Sequence, residues 1–180
     1  MKALFAAAAL LLVPAAASAQ TTPAPAADSV AMTVYDKALA PGWQNWSWAK
    51  TELSADIGSA RMPIMVDAQA YGGLYLHHDA FSAAPYRGLH MLMQVVGGEV
   101  TVRVMVTVGG KPVPDGDKME NGQPVMLMKR LTLKPGGWTD VLIPLATLGA
   151  DGKQIDGIQV MNDSGEPAPH FYVADISFKP

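Results

Sequence analysis

The sequence predicts an all-β protein, an antiparallel β-sandwich of the jelly-roll kind. Three observations lead there. Apolar and polar residues alternate with period two in segment after segment. Glycine, proline, asparagine and aspartate cluster between those segments. Helical periodicity is confined to a single turn around Ala146–Gly149. Strict alternation puts successive side chains on opposite faces, which is a strand with one buried side. Roughly ten short strands with such punctuation suit a sandwich or barrel.

The first nineteen residues stand apart from this pattern. Lys2 gives a positive start, residues 3–13 (ALFAAAALLLV) are apolar, Pro14 breaks the run, and Ala17-Ser18-Ala19 offers a signal peptidase small residues. Residues 1–19 therefore read as a secretory signal peptide. The apolar run is too short for a membrane span, which needs about 20 residues. No cysteine follows it, so lipid attachment is not expected. The expected location is periplasmic or extracellular. Residues 20–31 (QTTPAPAADSVA) are small, polar and proline-rich, and read as a flexible leader. Residues 32–180 are uniform in texture and are expected to form one domain.

Of the 13 lysines and arginines, Lys2 falls in the signal, so 12 face 16 acidic residues. That balance is mildly acidic and evenly spread. Nucleic-acid binding would require a clustered basic face, and none is present. The chain has no cysteine, so an exported form is held by packing and not by disulfides.

The strands follow in order. MTVYD (32–36) opens the domain, and Pro41-Gly42 marks a turn before Trp43. WSWAKTELSADI (46–57), PIMVDAQA (63–70), GLYLHH (73–78) and GLHMLMQVV (88–96) are β-like. TVRVMVTV (101–108) is the clearest case: Val102, Val104, Val106 and Val108 share one face, and Thr101, Arg103, Met105 and Thr107 the other. PVMLMKRLTL (124–133), WTDVLIPL (138–145), QIDGIQVMN (154–162) and HFYVADISF (170–178) complete the set. Turn signals include Gly97-Gly98, Gly109-Gly110, Pro114-Asp115-Gly116, Asn121-Gly122 and Ser164-Gly165.

Side-chain parity then sorts candidates for a site. In GLYLHH, Leu74, Leu76 and His78 share one face and Tyr75 and His77 the other. By the same logic Arg103, Gln159 and Met161 point away from the core, opposite Val104, Ile158 and Val160. Tyr75, His77, Arg103, Gln159 and Met161 can thus line one concave sheet face. Such a face offers a flat ring and hydrogen-bonding groups to a sugar. It is equally what an ordinary solvated sheet face presents. Asn162 and Asp163 fall either at the rim of that face or in a plain turn. Trp46 and Trp48 share a face, either core or ligand-binding groove. Trp43 precedes the strand and is free either to cap the sandwich or to stand exposed and stack on a saccharide. His77 and His78 are neighbours on a strand, so they point apart and do not chelate one ion together.

The phrase VYDKALAPGWQNWSWA (34–49), with YGGLYLHH (71–78) and HFYVADISF (170–178), resembles the carbohydrate-binding, galactose-binding-like jelly rolls attached to secreted glycoside hydrolases. The resemblance spans roughly residues 33–178. It implies a non-catalytic domain that binds a polysaccharide or oligosaccharide. It also implies a structural calcium near the chain ends, with Asp36 and Asp175 matching acids of the opening and closing phrases. Two departures stand beside them: Lys37 and Ala174 occupy positions where the family carries further acids.

The carboxylates of the strands, Glu52, Asp56, Asp67, Glu99, Asp140, Asp156 and Asp175, are scattered. A glycosidase needs a pair about 5–9.5 Å apart across a cleft, and spacing singles out none. There is no Gly-x-Ser-x-Gly elbow and no phosphate-cradling loop. The expectation is a binding protein, not an enzyme. The alternative is a periplasmic or surface module that docks a protein through its sheet face, helped by Met126 and Met128 beside Arg130.

Overall fold

The computed structural model describes residues 30–180, so the expected signal peptide and most of the leader lie outside the described residues. The alternating segments become strands: β1 (Met32–Asp36), β2 (Ala38–Leu39), β3 (Gln44–Asn45), β4 (Thr51–Glu52), β5 (Ile64–Val66), β6 (Gly73–Ser82), β7 (Gly88–Val95), β8 (Val100–Val108), β9 (Lys111–Pro112), β10 (Pro114–Glu120), β11 (Gln123–Met126), β12 (Lys129–Leu133), β13 (Thr139–Pro144), β14 (Gln154–Asn162) and β15 (Phe171–Lys179). The one predicted helical turn is a 3-10 turn at Leu145–Leu148, closed by Gly149 in the left-handed conformation.

Two antiparallel sheets result. The first runs β13-β7-β15-β1-β2, with β5 also on β15 and β4 on β5. The second runs β12-β8-β14-β6-β3, with β9 added to β8. β10 and β11 form a separate hairpin. The first and last strands of the domain pair, Met32 with Phe178 and Thr33 with Ser177.

The core lies between the sheets, as the parity predicts. From the second sheet, Leu74, Leu76, Val102, Val104, Val106, Ile158 and Val160 are all buried. From the first, Leu89, Met91, Met93, Val95, Phe171, Val173, Ile176 and Phe178 meet them. Met91 and Met93 are core residues, while Val108, expected inside, is exposed at the end of β8.

Four expectations are corrected. Residues 63–70 are not a full strand, because only Ile64–Val66 is extended and paired. Residues 46–57 are not one strand, because only Thr51–Glu52 is extended and paired. Residues 124–133 are not one strand either, because the ladder breaks at Leu127-Met128 between the hairpin and β12. Pro114-Asp115-Gly116 is not a turn; it begins β10, whose register shifts between Pro114 and Met119 and where Gly116 has φ of 58°. A left-handed glycine with a register shift is a bulge signature. Among the described residues no helix is long and apolar enough to cross a membrane.

Candidate functional site

The outer face of the second sheet is a grid fixed by register. Gln159 of β14 lies between Tyr75 of β6 and Met105 of β8. One row along, Met161 lies between Gly73 and Arg103; in the other direction, Gly157 lies between His77 and Thr107. Tyr75, His77, Arg103, Gln159 and Met161 therefore do share one face. The sequence did not show how closely that face is packed. Tyr75 and Gln159 are only 9% and 8% exposed. Gly157 makes room for this: a Cβ there would sit 2.5 Å from the Tyr75 ring and 2.8 Å from Thr107 Oγ1.

The cover comes from the tryptophan segment. Asn45 ends β3 by accepting hydrogen bonds at Oδ1 from Ser47 N–H (3.1 Å) and Ser47 Oγ (2.5 Å). That local turn competes with the ladder. Ser47 Oγ in turn accepts the Tyr75 N–H at 3.0 Å, replacing a main-chain partner. Trp46 N–H donates to the Tyr75 carbonyl at 2.8 Å, and Ala49 N–H to the Gly73 carbonyl at 3.1 Å. The segment thus runs beside β6 as a kinked edge, with both indoles on the outer face. Trp46 stacks on His77, ring centres 3.7 Å apart, and meets Tyr75 edge-on at 6.0 Å. Trp48 lies over Gly73, in space a Cβ would fill.

Both indole N–H groups are already committed. Trp46 Nε1 donates to Gln44 Oε1 at 2.9 Å and Trp48 Nε1 to the Tyr71 carbonyl at 2.8 Å. Yet the side chains are 52% and 50% exposed. What remains open to solvent is apolar ring surface. Tyr71, also exposed, continues the aromatic line, and the Arg103 guanidinium carbon lies 5.9 Å from its ring centre.

Polar groups flank this line. Asp163 accepts from Arg130 Nε at 2.6 Å and lies 3.5 Å from an Arg103 terminal nitrogen. Arg103 and Arg130 line a groove of about 250 Å³ against Glu120, Gln123, Met126 and Met128 of the hairpin and the link after it. His77 Nδ1 and Arg103 Nε are buried and find no hydrogen-bond partner among the described residues. The face offers aromatic ring surface, two guanidiniums and a carboxylate along one stretch of sheet.

Several predicted site residues are placed elsewhere. Trp43 is not a platform. It is 5% exposed and packs on His78, Phe81 and Phe178, with ring centres at 5.0, 6.0 and 6.4 Å. Its position follows from Gly42, whose φ of 86° suits glycine and where a Cβ would sit 2.5 Å from His78 Nε2. Asn162 is not at the rim. It is fully buried, its Nδ2 donates to the carbonyls of Ala68, Gln69 and Glu166, and its Oδ1 accepts the Ser164 N–H. It ties loops together and has no group left for a ligand.

Asp36 and Asp175 do line one depression of about 360 Å³, with His90 and Lys179. The Asp175 carboxylate is already held by Arg61 Nε at 3.2 Å. Among the described residues no group of three or more His, Cys, Asp or Glu side chains is placed to hold a metal. Calcium takes about 6–8 oxygen ligands, and this donor set, with a guanidinium already on one of its two acids, does not fit it. Asp156, buried, accepts from Thr107 Oγ1 (2.5 Å) and Gly110 N–H (2.6 Å), which fixes the turn after β8.

Trp46 and Trp48 were legible as a same-face pair, while Tyr71 and Arg130 were missed as site residues. Tyr71 takes φ of 53° in a turn, where no period applies. Parity sets Arg130 beside Met126 and Met128 on the docking face of the alternative reading, whereas the structure also places it against Asp163.

No family model matches the sequence, and no curated protein matches it. Solved structures do match. A family 29 carbohydrate-binding module aligns with a TM-score of 0.54 at 13% identity, covering 83% of this chain and 87% of its own. A substituted form complexed with mannohexaose gives 0.54 at 14% identity, over 83% and 90%. Another, complexed with cellulohexaose, gives 0.54 at 13% identity, over 83% and 89%. At this identity the likeness is one of fold: the chain has the β-sandwich architecture of these carbohydrate-binding modules.

Proposed function

We propose that this protein is a non-catalytic, exported carbohydrate-binding domain, and that the saccharide lies on the outer face of the second sheet across Trp46 and Trp48. One observation carries the reading. Two half-exposed indoles are fixed in place by hydrogen bonds from their own N–H groups, so only their apolar rings face solvent. A pyranose presents C–H groups to such rings and hydroxyls to flanking polar groups. Arg103, Arg130 and Asp163 supply donors and acceptors beside the rings. Tyr75, His77 and Gln159 act as the packed support beneath them. The fold neighbours complexed with mannohexaose and cellulohexaose favour a hexose chain as ligand.

Titration calorimetry of residues 20–180 with cellohexaose and mannohexaose tests this. Trp46→Ala and Trp48→Ala each remove a central aromatic anchor, worth about 2 kcal/mol or roughly 30-fold in affinity. Melting temperatures should stay near wild type. Binding that is absent for both hexaoses and for a wider glycan panel, or unchanged in both variants, sinks the reading. Incubation with the same glycans should release no new reducing ends. Amino-terminal sequencing of the exported form should begin at Gln20. Met126 and Met128, which favour the protein-docking alternative, are half-buried beside Arg130, and Met126 also lines an apolar depression with Val108, Pro112, Val113 and Pro124.

A further inference from the structure

A second pocket, of about 400 Å³, shares no residue with the tryptophan face. It is lined by Lys37, Ser59, Ala60, Arg61, Trp138 and Asp175, and belongs to the first sheet and its loops. Its backbone is unusual. Lys37 and Asp175 are non-glycine residues at φ of 58° and 50°, and Ser54, which bonds to the Lys37 carbonyl, is at 58°. Such conformations persist only where the surroundings impose them, and they concentrate at functional sites. Here the brace is explicit. The Lys37 carbonyl accepts from the Ser54 hydroxyl and shares the single proton of the fully buried Tyr35 hydroxyl, 3.0 Å away, with the nearer Met62 carbonyl at 2.7 Å. Ser54 N–H also donates to the Tyr35 oxygen at 2.9 Å.

The charges of this corner do not cancel. Arg61 meets Asp175 through Nε and lies over the Trp138 ring, 5.1 Å from its centre. A guanidinium has five N–H donors, so its terminal nitrogens retain donors beyond that contact. Lys37 has no carboxylate partner among the described residues. Two cations face one carboxylate beside a partly exposed indole.

We infer that this pocket is a second saccharide site, selective for a pyranose that carries a carboxylate. The acid of a uronate sugar pairs with Lys37 and the free edge of Arg61, and its ring rests on Trp138. Asp175, which the family resemblance pairs with Asp36 for calcium, is here held by Arg61, while Asp36 lines the neighbouring depression and not this pocket; the pocket itself takes an anion.

The experiment is calorimetry with trigalacturonate in the presence of a chelator, on residues 20–180. Lys37→Asn removes the charge while tolerating the left-handed backbone, and Lys37→Gly is its control. Trp138→Ala removes the ring. The expected result is binding that weakens on raising salt and drops at least tenfold in Lys37→Asn, Lys37→Gly and Trp138→Ala. Trp46→Ala should leave it intact, and cellohexaose and mannohexaose titrations should be unaffected by the Lys37 variants. The inference is overturned if trigalacturonate does not bind, binds only with added calcium, binds equally to all three pocket variants, or is lost in Trp46→Ala. Because the two sites use different ligands and different variants, failure here is distinguishable from failure of the neutral-glycan reading.

Discussion

Trp43, Trp46 and Trp48 are close in sequence and opposite in role. Trp43 is buried among His78, Phe81 and Phe178, while the other two expose about half their surface. Trp43→Ala should therefore cost about 3–5 kcal/mol of stability, the usual penalty for deleting a large buried aromatic. Trp46→Ala should cost much less and reduce affinity instead. Urea unfolding of the two variants side by side checks this, and equal destabilisation would contradict the assignment. Alternation showed that Trp46 and Trp48 share a face, but parity does not say which face is core when a segment is kinked. That choice rests on Asn45 and Ser47, whose hydrogen bonds bend the edge, and on Tyr75 N–H, which finds its acceptor in a side chain. Asn162 teaches the reverse lesson. It shares parity with Val160 and Ile158, so the pattern that turned Gln159 and Met161 outward already pointed it inward. Placing it at the rim set proximity to a turn above parity.

At the scale of elements, two glycines on β6 and β14 decide how the outer face is layered. A Cβ on Gly73 would meet Trp48 and Met161 side chains, whereas one on Gly157 would meet the Tyr75 ring, Thr107 Oγ1 and the Leu76 carbonyl at 2.9 Å. Gly73→Ala pushes against the Trp48 ring, which its bond to the Tyr71 carbonyl holds, and against the Met161 Cβ at 2.8 Å, which is fixed to the β14 main chain. Gly157→Ala pushes against a packed ring and main chain. Both variants should destabilise by about 1–3 kcal/mol, typical of overpacking, and Gly73→Ala, which displaces Trp48, should in addition weaken glycan binding severalfold. Paired melting curves and titrations read both quantities. The long strands β6, β7, β8, β14 and β15 were legible because each keeps a strict period over several residues. The segments misread, 46–57 and 124–133, contain good β-formers but are interrupted where side-chain hydrogen bonds or a hairpin take over the backbone. Composition alone does not reveal those interruptions.

At the scale of the whole molecule, sequence pattern counts strands but does not order them. Nothing in HFYVADISF announces that β15 is the strand on which the first sheet is assembled, pairing with β7 on one side and with β1 and β5 on the other. The long sequence separation of these partners is why no local signal encodes them. The consequence is testable. Phe171, Val173, Ile176 and Phe178 are each 0–1% exposed. At about 1.5–3 kcal/mol for burying each large apolar side chain, their loss removes roughly 6–12 kcal/mol. That is comparable to the whole net stability of a domain, about 5–15 kcal/mol. With no cysteine in the chain, no disulfide offsets the loss. A chain ending at residue 170 would also leave β7 and β1 without the strand that joins them. It should show no cooperative urea transition and no native near-ultraviolet dichroism, even though the tryptophan segment and all of the second sheet are intact. A truncated chain that still unfolded in one sharp transition would mean that the second sheet folds by itself, and that the glycan face does not depend on the layer beneath it.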